Sequence, residues 1–210
     1  MRTKVILAST SPRRIDLMKQ ARIEVVVISP NCKETQKSGE SPVQMVKRLA
    51  REKAKSVAEN LKPSKGAVVV IAADTIVVAP NRRRVLGKPK NFSDAEKMLR
   101  MISGKTHEVL TGYCLLGWDP VGKRREWCRV VRSKVLMRRL TGAMIRDYVA
   151  SGEPMDKAGS YAAQGFGMNW ISSLKGSYTN VVGLPMCELL LDLEERFGVR
   201  PRSPTRGKRV

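Results

Sequence analysis

An aspartate interrupts the most apolar run of the chain, which extends from Gly66 through Val68-Val69-Val70-Ile71-Ala72-Ala73-Asp74-Thr75-Ile76 to Val78. A β-branched run of this length reads as a central strand covered on both faces and is too short to span a membrane. An ionised carboxylate placed there is unfavourable unless it is paired, hydrogen-bonded or bound to a metal, so Asp74 needs a partner. Lys53 poses the same problem with the opposite sign. Val46, Leu49, Ala50, Ala54 and Val57 form the apolar stripe of a helix, and Lys53 projects from the middle of that stripe. Either an acid or a phosphate meets its ammonium, or its stem snorkels to water. Arg13 and Arg14 fall in the first turn of another helix, where the macrodipole disfavours cations. An anion held by the helix amides, the Ser9 or Ser11 hydroxyls and the two guanidiniums accounts for them; an ordinary pair of surface arginines is the alternative. Lys88 sits between Gly87 and Pro89, Glu34 lies in a polar segment, and Asp156-Lys157 opens a glycine-rich loop. Together these are the parts of a polyphosphate site, with acids for a divalent cation and cations for phosphate oxygens.

The overall charge agrees with such a site, because 40 Lys+Arg against 19 Asp+Glu leave a formal net charge of +21 in 210 residues. That excess attracts polyanions, whether nucleic acid, acidic lipid or nucleotide polyphosphates. Part of it belongs to an exposed Arg82-Arg83-Arg84 turn and to a basic tail from residue 199 to 210, expected to be disordered. Other chemistries lack their residues. There is no GxxxxGK[ST] phosphate loop, and Gly165-Phe166-Gly167 does not complete a dinucleotide fingerprint. His107 is the single histidine and is assigned to a strand, facing backbone or solvent, rather than to a triad or a zinc site. Cys32, Cys114, Cys128 and Cys187 are far apart and form no CxxC pair, so neither zinc nor a disulfide framework is expected and a reducing cytoplasm fits. The first eight residues hold too few apolar positions for a signal-peptide core, and no membrane segment is expected.

The elements that must position these residues can be read from spacing. Val5 to Ala8 reads as a strand, followed by Ser11 as N-cap and Pro12 as first residue of a helix to Gln20. Val25 to Ile28 is a second strand. Ser41-Pro42-Val43-Gln44 is a capping box opening a helix to about Asn60, and Ser93-Asp94-Ala95-Glu96 reads as a second box, for a helix stopped by Gly104. After the central strand, Asn81 to Arg84 suggests a hairpin returning through Val85-Leu86. Strands are expected over His107 to Leu116 and Trp127 to Leu136, a short helix over Thr141 to Ala150, and a last helix from Pro185 to Phe197 with Gly198 as its stop. Strands and helices alternate without repeats, so the class is α/β with a mixed sheet. Length permits one domain or two intimate lobes, and one domain over 1–198 is favoured.

The residues then become recognisable. Leu7-Ala8-Ser9-Thr10-Ser11-Pro12-Arg13-Arg14, Ala73-Asp74-Thr75, Leu86-Gly87-Lys88-Pro89, Ser103-Gly104-Lys105-Thr106-His107-Glu108-Val109 and Ser151-Gly152-Glu153-Pro154 resemble, in order, motifs of the Maf family of nucleoside triphosphate pyrophosphatases. So do Asp156-Lys157-Ala158-Gly159, Gln164-Gly165 and the run from Gly176 to Pro185, so that the resemblance covers Val5 to about Phe197. It implies a cytoplasmic, often dimeric enzyme with an elongated mixed sheet flanked by helices, related to inosine triphosphate pyrophosphatases. Such an enzyme cleaves a nucleoside triphosphate to the monophosphate and pyrophosphate with Mg²⁺, Mn²⁺ or Co²⁺. Carried over position by position, the resemblance makes Asp74 the proton acceptor or the holder of the metal that orients the attacking water. Glu34 becomes a metal or active-site acid, and Lys53 and Lys88 polyphosphate ligands. Arg13, Thr75 and Gln164 match positions that set base specificity, with Ser9 and Arg14 beside them at the substrate. Thr106-His107-Glu108-Val109 and Gln164-Gly165 look like the dTTP/UTP branch, whereas the branch favouring 7-methyl-GTP carries an acid before that glycine. A glutamine amide both donates to and accepts from a pyrimidine imide edge. Where many members carry an acid before the Glu34 position this chain has Lys33, which removes any extra metal ligand there. On this reading Lys53→Met weakens triphosphate turnover and leaves the fold intact. The rival functions are a nucleic-acid-binding module, which lacks an identifiable base-reading helix, and a non-enzymatic regulator of septum formation.

Overall fold

The computed structural model describes residues 3–61, 67–81, 84–119 and 121–202. Its centre is strand β3 (Val68–Val78), which runs parallel to β1 (Lys4–Ala8) and antiparallel to β5 (Thr106–Trp118). β1 also pairs with β2 (Val26–Ile28), and β5 continues to β6 (Arg124–Met137) and β7 (Ile171–Lys175), giving the order β2-β1-β3-β5-β6-β7 with β4 (Val85–Leu86) on β3. This is the mixed sheet expected of the sequence.

The period-two alternation of β3 sorts its side chains onto two covered faces. Val68, Val70 and Ala72 pack with Ala50, Ala54 and Val57 of helix α2 (Pro42–Ala58), and Ile76 and Val78 pack with its Val46 and Leu49. On the other face, Val69, Ile71 and Ala73 meet Leu17 and Met18 of α1 (Pro12–Gln20) and Leu189, Leu193 and Phe197 of α6 (Met186–Phe197). Val77, further along that face, joins Leu99 and Ile102 of α3 (Phe92–Ile102) and Ile145 and Val149 of α4 (Gly142–Ala150). The second face therefore changes its cover near Thr75. The edge of β3 changes there as well. β1 pairs only as far as Ile71, and β4 begins at Val77, so among the described residues the register leaves Ala72 to Ile76 without a strand neighbour on that edge. A crevice beyond the carboxyl end of β1, beside the helix that follows it, is where open α/β sheets place ligands.

The local signals act largely as read. Ser41 and Gln44 form the capping box of α2, and Gly198 closes α6 in the left-handed conformation. The second box is displaced: Asn91 rather than Ser93 caps α3, because its side-chain oxygen accepts the Asp94 N–H at 2.9 Å and draws Phe92 and Ser93 into the first turn. The hairpin strands β5 and β6 extend beyond their expected ends, while β2 begins one residue later than expected. β7 and α5 (Tyr178–Val182) occupy a stretch in which spacing gave no element. The expectation of unpaired cysteines is overturned. The β5–β6 register puts Cys114 opposite Cys128, and the two form a disulfide, a pairing that spacing along the chain cannot reveal. Arg82, Arg83 and residues 203–210 lie outside the described residues; of the expected turn and tail, Arg84 is exposed, whereas Val199 is buried against the core and Arg200 and Arg202 meet Glu194 at 2.8 Å and Glu24 at 2.6 Å. Among the described residues no helix is long and apolar enough to cross a membrane.

Candidate active site

A cavity of about 650 Å³ opens where the sheet edge is interrupted, and every site residue singled out from the sequence lines it. Asp74 and Lys53 form its floor. Asp74 projects from β3 toward α2, and the Lys53 ammonium donates to Asp74 Oδ1 at 2.7 Å and lies 2.5 Å from Glu34 Oε1. Only 6% of the Lys53 side chain and 8% of the Asp74 side chain are exposed, against 51% for Glu34. Of the two readings of Lys53, the geometry selects the acid partner, and the snorkelling stem is excluded. It also supplies the partner that Asp74 requires.

Glu34 comes from the segment between β2 and α2, which has no regular structure to hold it. Arg48 on α2 supplies the anchor. Its guanidinium donates to both oxygens of Glu40 at 2.6 and 2.7 Å, to Glu52 at 3.0 Å and to the Thr35 carbonyl at 2.9 Å, beside Glu34. Sequence reasoning missed Arg48; its one local signal was the i, i+4 spacing to Glu52. Partial burial pushes the Glu34 carboxyl up, but the hydrogen bond and charge of Lys53, aided by Lys88 and Arg14, outweigh burial and hold it below the usual carboxylate range.

The two arginines of α1 separate, as neighbours 100° apart on a helix must. Arg14 turns inward and donates to the Gly183 carbonyl at 2.8 Å, to Thr75 Oγ1 at 3.1 Å and to Ser9 Oγ at 3.4 Å. Burial lowers its pKa, while the charges of Asp74 and Glu34 work against that shift. Thr75 lies 2.9 Å from the Thr111 hydroxyl, which in turn donates to the Asn180 carbonyl at 2.9 Å. Arg14 thus ties β3, α1 and the loop after α5 together behind the cavity. Arg13 turns to the mouth and meets Asp156 at 3.3 Å. Ser11 occupies the N-cap position without a capping side-chain bond, and its own N–H is donated to Ser9 Oγ at 3.2 Å. Of the two guanidiniums expected to share an anion, Arg14 is thus taken up by protein partners, and Arg13 alone stands beside the first-turn amides of α1.

Lys88, also in the cavity lining, is exposed, and the Gly87 carbonyl before it accepts the Gly159 N–H at 3.1 Å. Lys157, donating to the Glu153 carbonyl and to Asp156, and Gln164 close the third side. His107 lies on β5, as expected, and is buried rather than facing solvent, with its Nε2 2.8 Å from the hydroxyl of Tyr161, a cavity-lining residue. Burial lowers its pKa to about 4, so it is neutral near pH 7.

The donor set fits a hard divalent ion. Asp74 and Glu34 offer carboxylate oxygens on either side of Lys53, and Mg²⁺ is commonly held by one or two carboxylates with phosphate and water completing its shell. Among the described residues the one close group of three metal-ligating residues is Cys114, Glu126 and Cys128, which do not line this cavity and whose two cysteines are already joined in the disulfide.

The profile of the Maf-like protein family matches residues 4–196. The chain belongs to the Maf family. The dTTP/UTP pyrophosphatase of Geobacter sp. (strain M21) is 43% identical over 188 residues, covering 90% of this Maf-like chain and 93% of its own. That of Geotalea uraniireducens (strain Rf4) is 43% identical over 197 residues, covering 94% and 96%. Among solved structures, a nucleoside-triphosphatase described as a dITP/XTP pyrophosphatase from Mycobacterium abscessus superposes with a TM-score of 0.39 at 15% identity, covering 92% of this Maf-like chain and 94% of its own, a likeness too distant to bear on the site.

Proposed function

We propose that this Maf-like chain hydrolyses dTTP and UTP between the α and β phosphorus atoms, releasing the monophosphate and pyrophosphate. The observation that carries the reading is the buried Lys53 ammonium between Asp74 and Glu34 at the floor of a cation-rimmed cavity. A protein does not bury a lysine against an aspartate at the floor of an opening of this size for stability alone, since apolar packing serves stability as well. The polyphosphate lies between the α1 amides with Arg13 on one side and Lys88 on the other, and Lys53 neutralises charge that develops on the phosphoryl oxygens. Asp74 and Glu34 would hold Mg²⁺, Mn²⁺ or Co²⁺, which as a Lewis acid lowers the pKa of water and neutralises phosphate charge. Asp74 accepts the proton of the attacking water, and the 2.7 Å hydrogen bond from Lys53 fixes where that carboxylate sits in the cavity. Arg14 fixes Thr75 and Ser9 by fork-like donation, so that the base end of the cavity is rigid. Gln164, at the third side, reads the imide edge of thymine or uracil through its amide.

The nucleotide pool that such an enzyme surveys is cytoplasmic, and a homodimer is the assembly proposed for it. A nucleoside triphosphate panel assayed with each of the three ions, with pyrophosphate separated from orthophosphate, tests the reading. Pyrophosphate from dTTP and UTP, abolished by Asp74→Asn, is expected; orthophosphate as the product, or normal turnover by Asp74→Asn, refutes it. Light scattering in solution tests the dimer.

A further inference from the structure

The loop that presents Gln164 is gripped at both ends by two side chains that do not line the cavity. Glu153 opens a 3-10 turn (Glu153–Asp156) after α4, and its carboxylate accepts the Phe166 N–H at 3.0 Å, the Gly167 N–H at 3.1 Å and the Tyr148 hydroxyl at 2.8 Å. The Tyr148 oxygen accepts the Ala162 N–H at 3.2 Å. One hydrogen-bonded pair therefore holds the backbone before and after Gln164, and the cavity wall between those anchors is Ala162, Ala163 and Gln164. Two glycines make the close fit. Gly165 adopts φ +95°, and a Cβ there would lie 3.0 Å from Glu153 Oε2; a Cβ on Gly167 would lie 2.7 Å from the Tyr148 oxygen. The chain wraps the pair with no room for another atom.

We infer that the Tyr148–Glu153 pair is a specificity clamp: acting through the 162–167 backbone it sets where Gln164 offers its amide, so discrimination between nucleobases depends on residues that touch no substrate. This rests on the reading of Gln164 as the base-contacting group. Hydrogen bonds lose strength steeply with misalignment, so a loop free to shift loses base selectivity before it loses chemistry. Glu153 and Tyr148 are positioning residues, and their effect must pass through Gln164.

The test is steady-state pyrophosphate release from dTTP, UTP and GTP by the wild type, Glu153→Ala, Glu153→Gln, Tyr148→Phe, Gln164→Ala and the Glu153→Ala/Gln164→Ala double variant, with a melting temperature for each. Glu153→Ala is expected to raise KM for dTTP and UTP roughly tenfold, the equivalent of one well-made hydrogen bond, with a much smaller change in kcat and an equal fall in the dTTP:GTP ratio of kcat/KM. Glu153→Gln, which keeps an acceptor, should recover part of that KM. In the Gln164→Ala background, Glu153→Ala should leave the ratio unchanged. An active wild type whose discrimination survives Glu153→Ala, or an undiminished effect in the Gln164→Ala background, overturns the clamp alone. A wild type that releases no pyrophosphate removes the functional reading and the clamp with it. Should Glu153→Ala fail to fold, Tyr148→Phe, which deletes one hydroxyl, predicts the same direction of change in the ratio, and an unchanged ratio there overturns the clamp.

Discussion

Replacing Lys53 by methionine keeps most of the apolar stem and removes the charge. In the structure that charge has two partners of unequal weight. Glu34 is half exposed, and water screens its link to Lys53 to about 1 kcal/mol or less. Asp74 is buried on β3, and two unit charges about 4 Å apart interact by roughly 4 kcal/mol at an effective dielectric of 20. Leaving one member of a buried pair uncompensated costs about 3–5 kcal/mol. Lys53→Met is therefore expected to lose that much stability, a fall in Tm of roughly 6–20 °C for a chain of this size. Read from sequence, the same substitution leaves the fold intact; the contact with Asp74 is what reverses that expectation. Adding Asp74→Asn to Lys53→Met removes both members of the buried pair and should restore about 2 kcal/mol or more, a coupling well above the additivity error of distant sites. Urea unfolding followed by circular dichroism, with pyrophosphate release assayed in parallel, separates the two roles. The double variant should regain stability and remain inactive. Lys53→Met within about 1 kcal/mol of wild type, with effects additive with Asp74→Asn, would refute the pairing argument.

Arg14→Lys cannot reproduce a fork that reaches Ser9, Thr75 and Gly183 together, so kcat/KM for dTTP should fall about ten- to a hundredfold, read from initial rates. His107 is buried neutral with its pKa lowered from 6.5 to about 4, so the folded state binds fewer protons than the unfolded one between those values. Its stabilising contribution is complete above pH 6.5 and is lost as pH falls toward 4, by roughly 3 kcal/mol in all, and His107→Gln should flatten that part of a stability-versus-pH curve. Reducing the Cys114–Cys128 disulfide should raise the intact mass by two hydrogens and lower unfolding stability by about 3 kcal/mol, the chain-entropy value for a loop of this size.

The disulfide and Asn91 mark where sequence reading stops. A capping box is a matter of residues three apart, so Ser41 and Gln44 announce α2 without help, and the apolar stripe exposes Lys53 as an anomaly. Asn91 went unnoticed because two potential caps lay within three residues, and only the backbone dihedrals choose between them. Arg48 had no distinctive spacing to the Thr35 carbonyl that it holds, since that contact depends on how an irregular segment folds back on α2.

By itself the sequence determined the strand that carries Asp74, the helix that carries Lys53 and the arginines of the first turn of α1, because each is a local violation of a pattern and remains visible in one dimension. Only the tertiary structure decided which violations answer one another. It joined Lys53 to Asp74 across 21 residues and to Glu34, turned Arg14 inward and Arg13 outward, and set Cys114 against Cys128. The physical reason is that pairing depends on the sheet register and on where β1 stops along β3, and these are settled by packing of the whole core rather than by any residue's own preference.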